Sequence, residues 1–592
     1  MNLDLTLRSE VHKAVTTLFQ QPVEHLQIQP TNDEFEGSHT VVCFPLTRVS
    51  RKSPEETARL VGDYLRVNTP LVARYNVVKG FLNLVLHDNV WVDVFQAIAT
   101  GVDFGVQPPN RKELMVEYSS PNTNKPLHLG HLRNNFLGWS VAEIYKAIGY
   151  NVHKVQIIND RGIHICKSMA AWKLFGNGET PESSGLKGDK LVGKYYVEFD
   201  KHLKAQVREL MVAGLSEAEA EKQAPIMKLA VDMLQKWEAK DADTVALWRQ
   251  MNGWVYAGFE VTYQRMGVDF KKLYYESDTY LLGREEVLRG LEKGIFFRKE
   301  DGSVWVDLAA DGLDQKVLLR ADGTSVYMTQ DIGTAILRFR DFPAIEGQVY
   351  TVGNEQEYHF KVLFLILKKL GYAWADRCYH LSYGMVDLPT GKMKSREGTV
   401  VDADDLMEEM AAEAEKQTLA LGKIDDATEA DIRQLSEMIG LGALKFFLLK
   451  VDPKKRMMFD PGESIQLQGH TGPFIQYTHA RIRAIVRKAE AMGVRGPLPK
   501  VEQLAETERD VVRLLAAYPA KVEEAAREYS PAVVANYAFD LAKAYNKFYQ
   551  STPIFNEPDQ NRVQFRIVLS EKVAEVLKKA MGLLGIQVPE KM

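Results

Sequence analysis

VEYSSPNTNKPLHLGHLRNNFLG, residues 116–138, decides how this chain is built. It begins inside ELMVEYSS, a short apolar run of strand length, and passes into a Pro/Asn loop that breaks the strand. From about Leu129 to Gly149 the spacing predicts a helix, and NVHKVQIIND then predicts a second strand. Strand, helix and strand over this length make a βαβ unit, and so a parallel sheet with a ligand crevice beyond the carboxyl ends of its strands. His128-Leu129-Gly130-His131 falls at the strand-to-helix junction. A helix start offers unpaired N–H groups and a positive dipole end, both suited to phosphate. Gly130 has no side chain, which lets a nucleotide lie against the backbone. The imidazoles can donate hydrogen bonds to phosphate oxygens as charge develops. Two histidines three apart can also be zinc ligands, but HExxH would need a glutamate that is missing here, and no cysteine cluster stands by.

Outward from this unit the chain changes character several times. Residues 1–108 mix strand patterns (HTVVCFPLTRV, GFLNLVLHD) with a helix opened by Ser53 and Glu56, a capping box. GVQPPNRKE, at 105–113, reads as a linker. Residues 109–402 carry the parallel-sheet pattern, interrupted at about 179–250 by Lys-, Glu- and Ala-rich amphipathic helices. Strands are expected again at SVWVDL, QVYTVG and CYHLSYGMV. From about 403 the pattern is helical, as a connector over 403–455 and an all-α bundle over 456–592. The expected fold class is thus α/β, a Rossmann-like parallel-sheet domain with an α+β N-terminal domain, a helical insertion and an all-α C-terminal bundle.

The bulk composition bounds the function. At 592 residues the chain is too long for one core. With 45% hydrophobic and 26% charged residues it is an ordinary globular composition. No apolar run is long enough to span a bilayer, and no secretory signal is read at the N-terminus. The three cysteines, Cys43, Cys166 and Cys378, are too few and too far apart for a disulfide framework, which fits a reducing cytoplasm. The net charge of −5 gives no overall basic field for nucleic acid, so any such contact must rest on a local patch.

A second element, Gly391-Lys392-Met393-Lys394-Ser395-Arg396-Glu397-Gly398, is a cationic, Gly-flanked loop able to neutralise a triphosphate. Together with HLGH about 260 residues earlier, it resembles the paired signatures of the class I aminoacyl-tRNA synthetases, usually written HIGH and KMSKS. The resemblance is to the arginyl branch and covers nearly the whole chain. It is carried by residues 116–138 with DKLVGKYYVEFDKHL, YMTQDIGTAI, YTVGNEQEYHFKVLF, KVDPKKRMMFDPGESI, TGPFIQYTHARIRAI and the C-terminal LLGIQVPEKM.

That resemblance implies an arginine–tRNA ligase with ATP as substrate, Mg²⁺ on its phosphates, L-arginine and tRNA(Arg) as partners, no membrane and a monomeric chain. His128, Leu129, Gly130, His131, Lys392, Met393 and Ser395 would bind ATP. The fourth-position lysine of KMSKS is absent, and either Lys125, three residues before His128, or Lys394 stands in for it. Asp331, with Tyr327 one turn earlier, and Glu276 are implied for the guanidinium. Gln356, Glu117, Ser119 and Asn122 are implied for the amino and carboxylate groups of the amino acid. Gln476, Tyr477, Arg481 and Arg483, on the first helix of the bundle, are implied for tRNA. Each has a structural alternative: Asp331 as a helix N-cap, Glu276 as a solvated charge, Tyr327 and Tyr477 as core, the arginines as a solvated face. Three rival functions are a small HxGH nucleotidyltransferase, a class I synthetase of other specificity, and a non-catalytic tRNA-binding relative. Length argues against the first, the YMTQDIG and GNEQEYHF segments against the second, and retention of both signatures against the third.

Overall fold

The computed structural model describes residues 3–387, 389, 401–421, 428–494, 496–499 and 501–592, apart from 24, 33 and 102. Its centre is a five-stranded, all-parallel sheet. The strands are β1 (Glu113–Glu117), β2 (Asn151–Ile158), β3 (Lys272–Tyr275), β4 (Ile345–Gly353) and β5 (Cys378–Tyr383). They lie in the order β5-β4-β1-β2-β3. The chain leaves β1 for β2 on one side and later fills β4 on the other, so the topological switch falls between β1 and β4. That is where a doubly wound sheet opens its ligand crevice.

Helix α1 (Leu129–Ala147) links β1 to β2, as the punctuation of 116–138 predicts. It is nearly wholly buried, because it packs on the sheet and on the C-terminal helices. Between β2 and β3 lies a helical excursion dominated by α2 (Gly188–Val212) and α3 (Ala242–Met266). Helices α4 (Tyr327–Asp341) and α5 (Glu357–Lys369) flank β4. SVWVDL departs from expectation. Val304–Val306 pairs antiparallel with Phe297–Arg298 and Lys316–Leu319 in a separate three-stranded sheet. The tight turn at Gly302 (φ +88°) folds this strand back on its neighbour, so it never reaches the parallel sheet.

Residues 3–101 form a four-stranded antiparallel sheet with helices Leu3–Phe19, Pro54–Asn68 and Asp88–Thr100. Ser53 caps the second of these, accepting from the Glu56 N–H. After residue 401 come α6 (Ala403–Leu421), α7 (Glu429–Leu449), α8 (Gly472–Ala491), α9 (Glu506–Glu528), α10 (Pro531–Ser551) and α11 (Gln560–Leu583). The N-terminal region rests on this bundle: Phe95 meets Phe565 edge-on at 5.2 Å, and Asp88 pairs with Arg509 at 3.1 Å. No described helix is long and apolar enough to cross a membrane.

Candidate active site

The histidines of HLGH cap their own helix. His128 is the N-cap of α1, and its Nδ1 accepts the Gly130 N–H at 3.1 Å. His131 reaches back, its Nδ1 accepting the His128 N–H at 3.2 Å. The rings sit 4.0 Å apart. A Cβ on Gly130 would come within 3.0 Å of the His128 ring, so the missing side chain makes room for the cap. Burial, reinforced by the nearby Lys125 cation, pushes His128 down to about 3 and His131 well below the ordinary histidine range. Both rings are neutral at physiological pH. A neutral imidazole holds one proton, and Nδ1 is an acceptor in both rings. Each therefore carries its proton on Nε2, as a donor. Ser, Thr or Asn would cap as well, so histidine here is chosen for something beyond capping.

Leu129 is fully buried core, which corrects its place among the nucleotide contacts: only its backbone remains, and that N–H is bound to the Val401 carbonyl at 3.2 Å. Lys125 is partly buried, and its ammonium is held below its ordinary value by desolvation. It borders a cavity of about 230 Å³ shared with Leu127, His128, Lys190, Tyr196 and Asp402. Lys392, Met393, Lys394 and Ser395 lie outside the described residues. Ahead of that segment, Arg133, fully buried on α1, ties β5's exit to the 453–455 turn by donating to the carbonyls of Gly384 (2.6 Å), Pro453 (3.2 Å) and Lys455 (2.9 Å).

Across the crevice lies an acidic group. Asp331 is inside α4 rather than at its start, since Val326 is the N-cap, and the capping alternative falls away. Its carboxylate meets His359 Nε2 at 2.6 Å. Tyr327, one turn earlier, is 77% exposed, which removes its core alternative. Glu276 opens a one-turn helix (Glu276–Thr279) after β3. Burial first, then the Asp160 and Asp331 charges, raise its carboxyl to about 7 against the pull of Arg161. A lone solvated glutamate would not shift this way, so Glu276 belongs to the cluster. Gln356 is exposed in the turn after β4, at the switch point, and Asn122 is exposed beside β2, bridged to Asn159.

Two residues beneath the site differ from expectation. Glu117 is 4% exposed and paired with Arg338, itself buried two turns beyond Asp331 on α4. Burial raises the Glu117 carboxyl even so. Ser119 is corrected: its hydroxyl is buried and engaged by Tyr263 (2.7 Å) and Asn135 (3.3 Å), and its N–H by Asn134 (2.5 Å). It shapes the strand end, at a left-handed φ of +81°, instead of offering its side chain to a ligand. Arg338, His359 and Asn134 were not foreseen. No local signal pointed to them, since Arg338 meets Glu117 and His359 meets Asp331 only in the folded chain.

On the bundle, Gln476 is corrected. It is fully buried, and its amide donates to the carbonyls of Met438 (3.0 Å) and Gln587 (2.8 Å), so it cannot reach RNA. Arg481 is stacked near Tyr477 (4.9 Å) and the exposed Tyr549 (5.2 Å). Arg483 pairs with Glu590 at 2.6 Å. Sequence reasoning did not single out Tyr549 beside Arg481.

Comparison with known proteins agrees with this geometry. Residues 93–460 match the family described as tRNA synthetases class I (R), catalytic domain, and 475–592 match the DALR anticodon binding domain. Arginine–tRNA ligases of Bacteroides thetaiotaomicron and Flavobacterium psychrophilum are each 54% identical to the chain, over 100% of both sequences. The arginyl-tRNA synthetase structure of Thermus thermophilus superposes with a TM-score of 0.81 at 26% identity, covering 100% of each chain. That of Plasmodium falciparum, at 17% identity, shares the fold with a TM-score of 0.76 over 100% of this chain and 99% of its own. A chain that matches its relatives end to end, and sets acidic side chains opposite a histidine-capped helix, belongs to the arginyl branch of the class I aminoacyl-tRNA synthetases.

Proposed function

We propose that the chain joins L-arginine to tRNA(Arg) at the expense of ATP, with the residues above in the following roles. The arginine carboxylate attacks the α-phosphate in line, giving arginyl-adenylate and pyrophosphate. The terminal ribose hydroxyl of tRNA then takes the arginyl group. No enzyme nucleophile is needed; positioning and charge stabilisation supply the catalysis. His128 and His131 donate from Nε2 to the phosphates, and Gly130 leaves the helix N-terminus open to them. Lys392, Met393 and Ser395 contribute from the second signature, and either Lys125, three residues before His128, or Lys394 supplies the cation of the missing signature lysine. Asp331 and Glu276 take the guanidinium, whose planar fork fits carboxylates. Tyr327 lies over it, and Gln356 and Asn122 hold the amino and carboxylate end, with Glu117 beneath.

The observation that carries this reading is the acidic pair Asp331 and Glu276 facing each other electrostatically at the carboxyl end of the parallel strands. Among the described residues no group of three or more His, Cys, Asp or Glu side chains could hold a metal ion. Mg²⁺ is assigned to the ATP phosphates on the family resemblance, where it would neutralise their charge. Residues 1–108 are assigned to the tRNA elbow, 403–455 to a connector and 456–592 to the anticodon, with Arg481, Tyr477 and Arg483 as the aromatic and cationic contacts. The chain is read as a cytoplasmic monomer whose arginine activation waits for tRNA.

The test is aminoacylation of total tRNA with each amino acid in turn. Arginine alone should be charged; charging with another amino acid, or with none, rejects the assignment. ATP–pyrophosphate exchange with arginine should require tRNA, and full exchange without it rejects the ordered mechanism.

A further inference from the structure

Asp160 is the second residue of the NDRG segment (159–162) just beyond β2 and is 1% exposed. It sits where five hydrogen bonds converge. Its Oδ1 accepts the Ser277 backbone N–H at 2.8 Å. Its Oδ2 accepts the Ser277 hydroxyl and the Tyr256 hydroxyl, each at 2.8 Å. Its carbonyl accepts from Trp248 Nε1 at 2.6 Å and Asn252 Nδ2 at 3.1 Å. Trp248, Asn252 and Tyr256 are spaced i, i+4, i+8, so α3 turns one whole face of side chains onto this residue. Ser277 is the neighbour of Glu276. The Glu276 carboxyl makes no hydrogen bond or ion pair among the described residues, so its place is set by the backbone of the one-turn helix it opens, whose second residue is Ser277.

We propose that Asp160 is a positioning residue of the arginine site: it clamps Ser277 to α3 and the end of β2, and so fixes the Glu276 carboxyl where the substrate guanidinium docks. The inference rests on the assignment of Glu276 to arginine made above. Two physical consequences follow. The clamp makes the helical excursion part of the amino-acid site, although none of its residues need touch the substrate. Asp160 also adds negative charge near Glu276. The charged groups facing Glu276 are Arg161, Asp160 and Asp331. Arg161, a guanidinium that could fill the site itself, is held away by Glu238 (3.0 Å) and by stacking on Tyr280 (4.0 Å). With burial, Asp160 and Asp331 all holding the Glu276 proton on, an arriving guanidinium is the group that draws it off, so Glu276 releases its proton as arginine docks.

The experiment measures aminoacylation by the full chain with tRNA(Arg) from pH 5.5 to 8.5, for wild type, Asp160→Asn, Ser277→Ala and Glu276→Gln. Asparagine keeps the size of Asp160 but loses its charge and one acceptor. Asp160→Asn should raise the KM for arginine about tenfold, one lost charge-assisted contact. The KM for ATP should stay within about threefold under the same estimate. The acid limb of kcat/KM for arginine should move to lower pH, because a neighbouring negative charge is gone. Ser277→Ala should raise the same KM about threefold and leave the limb in place. If Asp160→Asn leaves both KM and limb unchanged, or lowers kcat and raises both KM values equally, the proposal is overturned. If Asp160→Asn does not fold, an unchanged arginine KM in Ser277→Ala overturns it instead. Glu276→Gln should abolish the limb. If the limb survives in Glu276→Gln, the arginine-site assignment itself fails; if it vanishes there while Asp160→Asn is silent, only the role of Asp160 fails.

Discussion

Substituting the two signature histidines by residues that keep the cap separates their structural work from their chemical work. Asn is among the best N-caps, and Gln at the third helical position completes a capping box. His128→Asn and His131→Gln therefore preserve both acceptor roles, to the N–H groups of Gly130 and His128. Their effect on stability should stay below about 0.5 kcal/mol, whereas His128→Ala, which removes the cap, should cost about 1 kcal/mol. What the cap-preserving variants lose is the Nε2–H donor. A pre-oriented donor aimed at developing negative charge contributes about 2.7–4 kcal/mol, or 10²–10³ in rate. Each should therefore reduce ATP–pyrophosphate exchange, measured with tRNA and saturating arginine, by 10²- to 10³-fold at an almost unchanged thermal midpoint. Because both rings are already neutral, the loss should be the same at pH 6.5 and pH 8. A cap-preserving variant that keeps more than about a third of wild-type exchange, against the loss expected for such a donor, would show that the histidines only start the helix, and the catalytic reading would be wrong.

Other expectations are as direct. Lys125→Ala should slow activation by at least about 10²-fold while leaving tRNA affinity nearly intact; a mild effect, with a large one in Lys394→Ala, moves the role to Lys394. Glu276 holds its proton to about pH 7 in the fold, against an ordinary value of 4.5. The stability it contributes is complete below pH 4.5 and lost as pH rises through 7, at about 1.4 kcal/mol per unit before discounting partial exposure. Glu276→Gln should thus be about 2–3 kcal/mol more stable than wild type at pH 8 and equal to it at pH 4.5, read by thermal melts without arginine; equal melts at both pH values count against the buried carboxyl. Arg338→Met leaves Glu117 buried without its partner and should cost about 3–5 kcal/mol, most of it recovered in the double variant with Glu117→Leu; a harmless single variant would mean the pair is not buried together. Deleting residues 586–592 removes one of the two partners of buried Gln476 and the Pro589 carbonyl on buried His479. At about 1–3 kcal/mol per orphaned group the melting midpoint should drop by several degrees; no drop would mean the tail is not docked in solution.

The parts that were legible in the sequence are those set by local rules. The βαβ unit could be read because Pro121, Asn122 and Pro126 punctuate it and α1 follows at once. The bundle could be read because a 3.6-residue period survives over each helix. The acidic residues proposed for arginine came from resemblance, and the structure adds that the Asp331 charge on α4 bears on Glu276 at the end of β3. What stayed hidden depends on partners distant in sequence. Gln476 looks like an RNA contact until its amide is found on carbonyls 38 and 111 positions away. Ser119 looks like a substrate contact until Tyr263 of the helical excursion is seen to engage it. Val304–Val306 has strand periodicity, but periodicity does not say which sheet a strand joins. The clamp at Asp160 was partly visible, since Trp248, Asn252 and Tyr256 place polar tips on one face of a helix, but nothing local says what that face meets.

The C-terminal LLGIQVPEKM explains how the two functional halves are joined. The carbonyls of Leu583, Gly585, Gln587 and Pro589, every second residue, accept in turn from Ser140 (2.7 Å), Lys445 (2.6 Å), Gln476 (2.8 Å) and His479 (2.9 Å). Those donors lie on α1, α7 and α8. Leu583 is the last residue of α11 and Gly585 (φ +68°) closes its end, so the tail is a strap anchored first at that helix end and then by Gln587 and Pro589 along α8. Its first bond is to the helix that carries His128 and His131, and its last lie beside Arg483 on the helix assigned to tRNA. Lys445 is fully buried and held down to about 8 by desolvation, so it is costly to leave without the Gly585 carbonyl. Displacing the strap at the bundle end therefore exposes unpaired donors in sequence towards α1. The strap thus bonds α1, which carries His128 and His131, to α7 and to α8, which carries Arg481 and Arg483, so the two halves of the chain share one set of buried donors.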